Sequence, residues 1–543
     1  MTAVSSTEDS VTSRRWARRL SIVAILVLCG LLLWIRFSHI GGTLPYPYHV
    51  DEGAVIGPAQ SMLSTGNLHP GTFNYPSFPK YLASLGLAGG FLRSARDGET
   101  RDVTRLGSVG YPYYTTPGAV AGAKQLFALL SVIALGVTGA MAWSLAPNAA
   151  TVWVAPLVLM GSSLFFRHSW VYLNVDIVGT CFAVLAVASA LSATANPSGA
   201  RSAVIPGICA GLAAASKYTL GLVLIPVVLG IWLHQRSDRR LMSSVVAVGT
   251  SLLAFVAVVP YSVIDYPAFL NGLAFEAQHY RSGHLGFNAA PGLAQLAYYG
   301  RHFLHEFGTV GGVLAVLGLS SILHRDWRKA LMLAAFPVAL LALLAAQRVH
   351  FPRNVLAIHP FYALLIGFGL VGLCRAGAQY VERQKAWRVG YRRVATAALC
   401  GALVLGTLPA QRYLAQARVP VDSRNLAERW IADEVPEDWT VLMPIALGFD
   451  TCALKDRGVQ VLEVEVTSPQ QQLDMLSHLR GEAVALLPSW GLDGRFESSV
   501  DLDAMNRAGS TLRVIREFGD TPVLLNYLQP TAWGNPRFQV VTR

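Results

Sequence analysis

Long apolar stretches separated by short polar segments dominate the chain from residue 19 to residue 410. A helix needs about 20 mostly apolar residues to cross the hydrocarbon core of a bilayer. Because backbone groups find no water there, each stretch is expected to be a helix. The pattern predicts about eleven transmembrane spans by this length rule, at approximately 19–36, 118–144, 150–166, 170–192, 203–216, 217–234, 241–260, 296–322, 328–346, 354–374 and 394–410.

Two stretches between the first two spans are interpreted as helices that do not cross the bilayer. Residues 53–65 are predicted to form a short helix that ends at Gly66-Asn67. The apolar piece 76–92 begins with two prolines and a lysine, and it is interpreted as an interfacial helix. Both lie in a long segment, 37–117, which is predicted to be the first external loop.

Beyond residue 411 the composition becomes that of an ordinary soluble domain. Apolar positions there follow helical spacing in some stretches and form short strand-like runs in others. Together they indicate a small α/β domain at residues 411–543. The predicted helices are 423–434, 468–479 and 500–508, and the predicted strands are 439–443, 459–465 and 483–487.

Composition agrees with a membrane protein. The 543 residues are 53% hydrophobic and 14% charged, with a mean hydropathy of +0.43, whereas soluble domains carry about 25% charged residues. The first run follows four arginines and has no small-residue cleavage motif after it, so it is interpreted as a retained anchor. The fold class is therefore a polytopic α-helical membrane protein with an added soluble domain.

Lysine and arginine in short loops set the expected orientation. Placing the polar, disordered N-terminus 1–18 in the cytoplasm puts the basic loops inside, whereas segment 261–295, with a single Arg and no Lys, lies outside. Eleven crossings then place residues 411–543 outside the cytoplasm. The membrane is expected to be the cell (inner or plasma) membrane. The basic segments assigned to the inside are 14–19, 234–240, 324–329 and 375–393.

The net charge of +11 is interpreted as this topology signal. Nucleic-acid binding is not expected, because the basic residues are divided among short loops beside spans. Five of the six cysteines lie in predicted spans and the sixth is Cys452, so the sequence contains no disulfide framework and no CxxC metal pattern.

Acidic side chains at the predicted outer face are the first candidates for chemistry. Asp51 and Glu52 follow the first span, and Asp176 lies at the outer end of a later one. A carboxylate at such a place can act as a general base toward an acceptor hydroxyl, and acids near spans are costly and commonly functional. A helix cap or a solvated loop is the alternative interpretation.

Basic and histidine side chains at the same face form the second group. Lys80, Lys217, Arg348 and Arg353 run against the positive-inside tendency, and a phosphate leaving group would explain them; anionic lipid headgroups are the alternative. His279 and His284 flank Arg281 and are candidates for substrate contact. His302 and His305 lie three residues apart on one predicted helix, a spacing that can ligate a divalent metal.

Several of these segments resemble one family. HVDEGAVIGPAQSMLSTGNLHP and NYPSFPKYLASL are similar to the first external loop of the protein O-mannosyltransferase superfamily, the polyprenyl-phosphate-sugar transferases of GT-C fold that include the aminoarabinose transferases. Further similarity lies in NVDIVGT, ASKYTLG, RNVLAIHPFYALL and DSRNLAERWIADEVP. This chain has Pro76-Ser77-Phe78-Pro79 where the family usually has adjacent prolines, and Tyr75 where the mannosyltransferases have histidine.

The resemblance implies a GT-C-like membrane domain at residues 19–410 and assigns roles to single residues. Asp51 matches the proposed catalytic base, Asp176 a second acid of the site, and Lys80 the lysine after the prolines. Apart from the resemblance, Lys217 and Arg353 are expected to bind substrate as cations at the outer face, together with Tyr218, which follows Lys217. The two departures disfavour protein mannosylation.

The leading hypothesis is an inverting hexosyl- or pentosyltransferase that acts on the outer face of the membrane. It would take a polyprenyl-phosphate-linked sugar as donor and a glycan, lipid or protein as acceptor, with Asp51 as general base and Glu52 beside it. The alternative is a multi-pass lipid or solute transporter without transferase chemistry. A transporter would need broken helices and ionisable residues near the middle of the membrane.

Overall fold

The computed structural model describes most of the chain. It covers residues 22–383, apart from 24, 28, 50, 108–112, 147–148, 196–198 and 285–286. Beyond residue 420 it covers 421–465, 469–477, 482–488, 512–519 and 536–542. The polar N-terminus 1–18, the span at 394–410 and the helix at 500–508 lie outside these residues and stay predictions.

Within this part of the chain, seven helices are long and apolar enough to cross a membrane. They coincide with seven of the spans predicted from hydropathy, so the polytopic helical fold class is confirmed. They are α1 (Ile25–Thr43), α4 (Pro117–Leu145), α7 (Val175–Ala193), α10 (Ser237–Val258), α13 (Leu293–Arg325), α14 (Trp327–Ala345) and α15 (His359–Arg383).

One further predicted span and one of the seven helices, α13, are interrupted. The predicted span at 150–166 is a bent pair, α5 (Ala149–Met160) and α6 (Ser163–Phe166), with a 75° bend at the break. Helix α13 changes direction at Gly308, whose φ of 73° and ψ of 166° are not helical. Glycine adopts such a positive φ without the steric penalty that a Cβ would impose.

Within the described residues, the two predicted spans at 203–216 and 217–234 are shorter than a bilayer requires. Helix α8 (Arg201–Ser216) and the segment Tyr218–His234, which contains α9 (Leu224–His234), are apolar but have fewer than 18 residues each. The count of eleven spans therefore stays a prediction.

Helices also form in the segments between the spans, as the pattern predicts. Helix α2 (Glu52–Thr65) ends at Gly66 in the left-handed conformation, a common helix stop. Helix α3 (Phe78–Arg96) covers the interfacial stretch. Short helices α11 (Tyr261–Ile264) and α12 (Tyr266–Ser282) follow α10.

The C-terminal region contains a five-stranded sheet of order β2-β1-β3-β5-β4. Strands β1 (Thr440–Pro444), β2 (Gln460–Val464) and β3 (Ala483–Pro488) are parallel and match the predicted strands. Strands β4 (Arg513–Phe518) and β5 (Phe538–Thr542) pair antiparallel and were not predicted. Helices α16 (Ser423–Glu434), α17 (Thr451–Lys455) and α18 (Pro469–Ser477) complete the region.

Alternation along the strands builds a hydrophobic core on each face of this sheet. Val441 and Met443 of β1 pack in one cluster, with Ala427 and Ile431 of α16. Leu442, between them, packs in the cluster on the opposite face. This is the period of two that a pleated strand imposes on its side chains.

The chain forms two compact units. The first unit contains residues 1–38, 68–85 and 124–417, and the second contains 39–67, 86–123 and 418–543. Asp176, Lys80, Lys217 and Arg353 belong to the first unit, and Asp51 and Glu52 to the second. The predicted boundary at residue 411 lies outside the described residues and stays a prediction.

Candidate functional site

In the first unit, Asp176 is held at the beginning of α7. Asn174 caps this helix, and its side-chain oxygen accepts a hydrogen bond from the Asp176 amide at 3.2 Å. The first turn of a helix favours a carboxylate, because its amide groups carry partial positive charge. Asp176 is only 4% exposed, so its charge needs partners within the protein.

Lys217 is the nearest of those partners. It occupies an extended position, φ −151° and ψ 122°, where α8 ends, and this break brings its side chain to Asp176. The Lys217 ammonium lies 2.7 Å from Asp176 Oδ1 and 3.0 Å from Asn354 Oδ1. The Asn354 oxygen also accepts from the Tyr280 hydroxyl at 3.1 Å, which fixes the amide between the two donors.

Arg353 is the second cation beside Asp176. Its Nε lies 3.9 Å from Asp176 Oδ2, and its guanidinium stacks 4.1 Å from the ring centroid of Phe351. The His284 ring packs 5.3 Å from Phe351 and 5.2 Å from the His279 ring. The structure therefore brings Asp176, Lys217 and Arg353 together, with His284 beside Phe351 and His279 beside His284.

A cavity of about 190 Å³ opens beside this cluster in the first unit. Lys217 and Tyr218 line it, together with Glu276 and Arg281 of α12. The Tyr218 hydroxyl donates to the Phe73 carbonyl at 2.8 Å, which orients the ring. The other lining residues are Asn74, Tyr75, Pro76, Thr219, Leu273, Ala277, Tyr280, Leu343, Leu344 and Gln347.

Sequence reasoning missed three residues of this region: Asn354, Glu276 and Tyr280. Glu276 and Tyr280 are four residues apart on α12, so they share a helical face, and that spacing was a detectable signal. Burial raises the pKa of the Tyr280 hydroxyl, which therefore stays protonated and can donate at neutral pH. No sequence pattern marked Asn354, because its contacts with Lys217 and Tyr280 depend on how the fold brings these residues together.

Lys80 has a different environment. It is fully buried, and its ammonium donates to the carbonyl oxygens of Pro70 and Thr72 and to the Thr72 hydroxyl. Burial lowers its pKa to about 8. Lys80 is not among the residues that line the cavity beside Lys217, and its contacts brace the loop before α3.

In the second unit, the two adjacent acids occupy different environments. Glu52 is fully buried at the start of α2. One of its oxygens accepts from the amides of Tyr48 and His49, at 2.9 and 3.1 Å, and the other accepts from the Tyr114 hydroxyl at 2.7 Å. These bonds hold the loop that leads into Asp51.

The Asp51 side chain is more accessible, with 20% of its surface exposed. Its own amide donates to His49 Nδ1 at 3.1 Å, so this nitrogen is an acceptor. The carboxylate lies 3.8 Å from the same nitrogen, which is too far for a hydrogen bond. Of the two acids, Asp51 is therefore the more exposed one, since Glu52 is fully buried.

A buried polar chain in the first unit was not predicted. Glu306 of α13 is 4% exposed and accepts from the hydroxyls of Ser162 and Ser163, at 3.0 and 2.5 Å, where the bent pair α5–α6 breaks. Ser162 also contacts His359 Nδ1 at 2.8 Å, and His359 Nε2 lies 3.0 Å from His302 Nε2. An acid within the predicted span 296–322 was the signal that sequence reasoning passed over.

The sequence offered His302 and His305 as possible ligands of one metal ion, but the described residues supply no group of ligands around them. Among the residues that the structure describes, no three His, Cys, Asp or Glu side chains are grouped so that they could hold a metal ion. His302 instead contacts His359, as described above.

Comparison with known proteins identifies the fold. The family model for dolichyl-phosphate-mannose-protein mannosyltransferase matches residues 120–264, which is less than half of the chain. The chain is similar to ArnT from Cupriavidus metallidurans in the apo state, with a TM-score of 0.50 and 13% identity over 96% of this chain and 97% of ArnT. No curated protein matches the sequence.

Two other solved structures are similar to the chain. ArnT from the same organism bound to undecaprenyl phosphate has a TM-score of 0.50 and 14% identity, over 96% of this chain and 97% of that one. The Archaeoglobus fulgidus oligosaccharyltransferase in the apo form has a TM-score of 0.46 and 11% identity, over 82% and 64%. The likeness to ArnT shows that the chain has the GT-C fold, and with the family-model match it confirms the resemblance to this superfamily.

Proposed function

We propose that the protein is a membrane glycosyltransferase that transfers a sugar from a polyprenyl-phosphate donor to an acceptor hydroxyl or amine on the outer face of the membrane. One observation carries the proposal. The carboxylate of Asp176 faces two cations, Lys217 and Arg353, and Lys217 also lines the adjacent cavity. Two cations against one carboxylate leave a positive charge that complements a phosphate.

The comparisons support the same class of reaction. The matching family model is that of a dolichyl-phosphate-mannose transferase, and one ArnT structure holds undecaprenyl phosphate. A fold alone does not determine a function. The charge arrangement around Asp176 is therefore the stronger support, because it concerns this chain's own residues.

In the proposed reaction, an acceptor oxygen or nitrogen attacks the anomeric carbon of the donor sugar. Asp51 takes the proton of the acceptor as the new bond forms. The bond between the sugar and the phosphate oxygen breaks, and its electron pair stays on the polyprenyl phosphate, where Lys217 and Arg353 stabilise the developing charge. Direct displacement inverts the anomeric centre.

The test of the base is a comparison of Asp51→Asn with Glu52→Gln in protein reconstituted with a panel of polyprenyl-phosphate sugars. Asp51→Asn keeps the size of the side chain and removes its basicity, and positioned proton transfer contributes about 10²–10⁴-fold. We expect Asp51→Asn to bind donor and to lose turnover by that factor. Near-normal turnover of Asp51→Asn, at matched membrane abundance, would reject Asp51 as the base.

The test of the leaving-group site uses Lys217→Ala and Arg353→Ala, with Arg348→Ala as the matched control. Arg348 is exposed and close in sequence to Arg353. Loss of one electrostatic donor costs about 2–4 kcal/mol of transition-state stabilisation, so we expect turnover to fall at least 30-fold in both cluster variants and to be unchanged in the control. Equal turnover in all three would place the phosphate elsewhere.

A lipid transporter is the second candidate, because the structure contains two features that transporters use. Helix α13 and the pair α5–α6 are both broken, and Glu306 lies buried at the break. The test is the translocation of a fluorescent polyprenyl phosphate across liposomes. A transporter requires translocation that Glu306→Gln abolishes, whereas a transferase without transport shows none in either protein.

A further inference from the structure

A second cavity lies in the second unit, apart from every residue considered above. Its volume is about 430 Å³, within the range of about 300–1,000 Å³ that small-molecule sites occupy. Backbone of Gly41 and Gly42 forms one wall, and α16 forms the other. The Glu428 and Asn425 side chains reach it from α16.

The polar groups of this cavity are fixed by contacts within the unit. The Tyr46 hydroxyl donates to Glu428 Oε1, and the Asn425 side-chain amide donates to the Leu44 carbonyl at 2.8 Å. The Gly42 carbonyl accepts from the amide of Asp422 at 3.2 Å. A cavity whose walls are held in this way is pre-organised, which lowers the entropy cost of binding.

Behind these walls, a buried ion pair supports Tyr46. Arg424 is 1% exposed, lies 2.8 Å from Asp422 through its Nε, and stacks its guanidinium 3.7 Å from the centroid of the Tyr46 ring. The hydroxyl that orients Glu428 is therefore itself held in place, and the carboxyl group keeps capacity for further donors.

The signs of the lining charges select the class of ligand. Arg429 and Arg457 add two exposed guanidinium groups to the cavity, opposite in charge to ionised Glu428. The two arginines would repel a strongly cationic ligand, and ionised Glu428 would repel a strongly anionic one. A neutral ligand with many hydroxyl groups can donate to Glu428 and Asn425 and accept from the arginines, and a carbohydrate has this chemistry.

The position of the cavity indicates where the ligand comes from. Gly41 and Gly42 are among the last residues of α1, the first candidate span. The cavity therefore begins where this span ends, at the level of a membrane surface, where the sugars of glycolipids are found.

We propose that this cavity is a binding site for a neutral carbohydrate carried by a membrane glycolipid. Binding here needs no transfer reaction, so the proposal stands independently of the role of Asp51. Gly42 provides a direct way to block the site, because a Cβ added there meets no atom within 4 Å. A bulky side chain can therefore be introduced at this wall of the cavity without a clash at its Cβ.

The experiment measures binding of full-length protein in nanodiscs to an array of neutral and sialylated oligosaccharides, with no donor lipid present. We expect a subset of neutral glycans to bind, and Gly42→Phe and Arg457→Ala to weaken that binding at least tenfold. Arg513→Ala, an exposed arginine on β4 of the same unit, is the matched control and should bind as the parent does. Unchanged unfolding temperatures show that the variants are folded.

Three outcomes would overturn the proposal: no glycan bound, binding unaffected by Gly42→Phe, or preference for sialylated glycans over neutral ones. A second arm compares the bound glycan as a free oligosaccharide and as a glycolipid in the nanodisc. Tighter binding of the glycolipid supports the membrane source, whereas equal binding rejects that part. Because no donor lipid is present, the binding assay does not depend on the proposed transfer reaction.

Discussion

Asp176 and Lys217 form an ion pair of 2.7 Å whose side chains are 5% and 11% exposed. At this depth each charge depends on the other, since removal of one partner from a buried pair leaves an uncompensated charge and costs about 3–5 kcal/mol. The Lys217 ammonium also donates to Asn354 Oδ1, and Arg353 lies beside the other carboxylate oxygen of Asp176. Stability and the proposed function therefore depend on the same residues.

We predict that Asp176→Asn and Lys217→Met each lower the free energy of unfolding by about 3–5 kcal/mol. The double variant should lose less than the sum of the two, because it removes both charges together. The exposed pair Lys455–Glu463, at 3.0 Å, is the control, and Glu463→Gln should cost less than about 1 kcal/mol. Reversible denaturation in detergent measures all four, and strict additivity would contradict the coupling.

The titration of Glu428 should make the free energy of unfolding depend on pH. Burial raises its pKa from 4.5 to about 7, and the hydrogen bond from Tyr46 opposes part of that shift. Between these two pH values the folded protein binds the proton and the unfolded chain does not. The free energy of unfolding should therefore fall as pH rises from about 4.5 to about 7, and level off above that.

We predict that Glu428→Gln, which is neutral at every pH, matches the parent in thermal midpoint at pH 5 and exceeds it at pH 8. The glutamine keeps a group that can accept from Tyr46. Glu434→Gln, at the exposed end of the same helix, should follow the parent at both pH values. A pH profile of Glu428→Gln parallel to that of the parent would show that Glu428 is ionised throughout.

At the scale of elements, close packing of α13 on α15 depends on glycine. A Cβ added at Gly369 would lie 1.9 Å from the Leu314 carbonyl oxygen, and one added at Gly318 would lie 1.9 Å from that of Leu365. Small residues let helices approach this closely in membranes, where packing rather than water drives association.

We predict that Gly369→Ala separates these helices and lowers the free energy of unfolding by about 1–3 kcal/mol, the usual cost of overpacking. Gly372, three residues later on the same helix, has no atom within 4 Å of an added Cβ. Gly372→Ala should therefore be neutral or stabilise by up to about 1 kcal/mol through helix propensity. Equal effects in a thermal unfolding assay would refute the packing argument.

Strands show where pattern reasoning fails at this scale. Strands β1 and β3 are short apolar runs with buried residues, and both were predicted. Strand β4 has five exposed residues in succession, so its sequence RVIREF offers no buried face. It exists because β5 supplies its hydrogen bonds from residues at least twenty positions away, and local pattern carries no information about such a partner.

For the whole molecule, the orientation in the membrane follows only from the charges in the loops. The loops assigned to the cytoplasm are rich in Lys and Arg, whereas segment 261–295 has a single Arg. On this basis we propose that the sheet region and the proposed carbohydrate cavity lie outside the cytoplasm.

We predict that a reporter active only in the cytoplasm, fused after Arg543, is silent, whereas the same reporter inserted at 236–238 is active. A periplasm-active or lumen-active reporter should give the opposite pair of signals. Cytoplasmic activity at Arg543 would reverse the orientation and move the proposed acceptor side with it.

What the sequence determined by itself was everything that depends on local composition. Apolar length placed seven of the spans, capping residues and turns placed α2 and α16, and apolar runs placed three strands. These features could be predicted because each depends on residues that are neighbours in the sequence and on whether they face lipid, water or a protein core. Asp176, Lys217 and Arg353 were also selected as candidates from the sequence, since charge beside a span is costly and therefore conspicuous.

Only the tertiary structure decided which of these residues meet. Asn354 accepts a hydrogen bond from Lys217, which lies 137 positions away. Glu306 accepts one from Ser162 at the break between α5 and α6, and Glu428 accepts one from Tyr46. The same structure distinguished Asp51, which is accessible, from its neighbour Glu52, whose oxygens are occupied by three donors. Such assignments depend on distances between remote segments, which packing sets and local pattern does not encode.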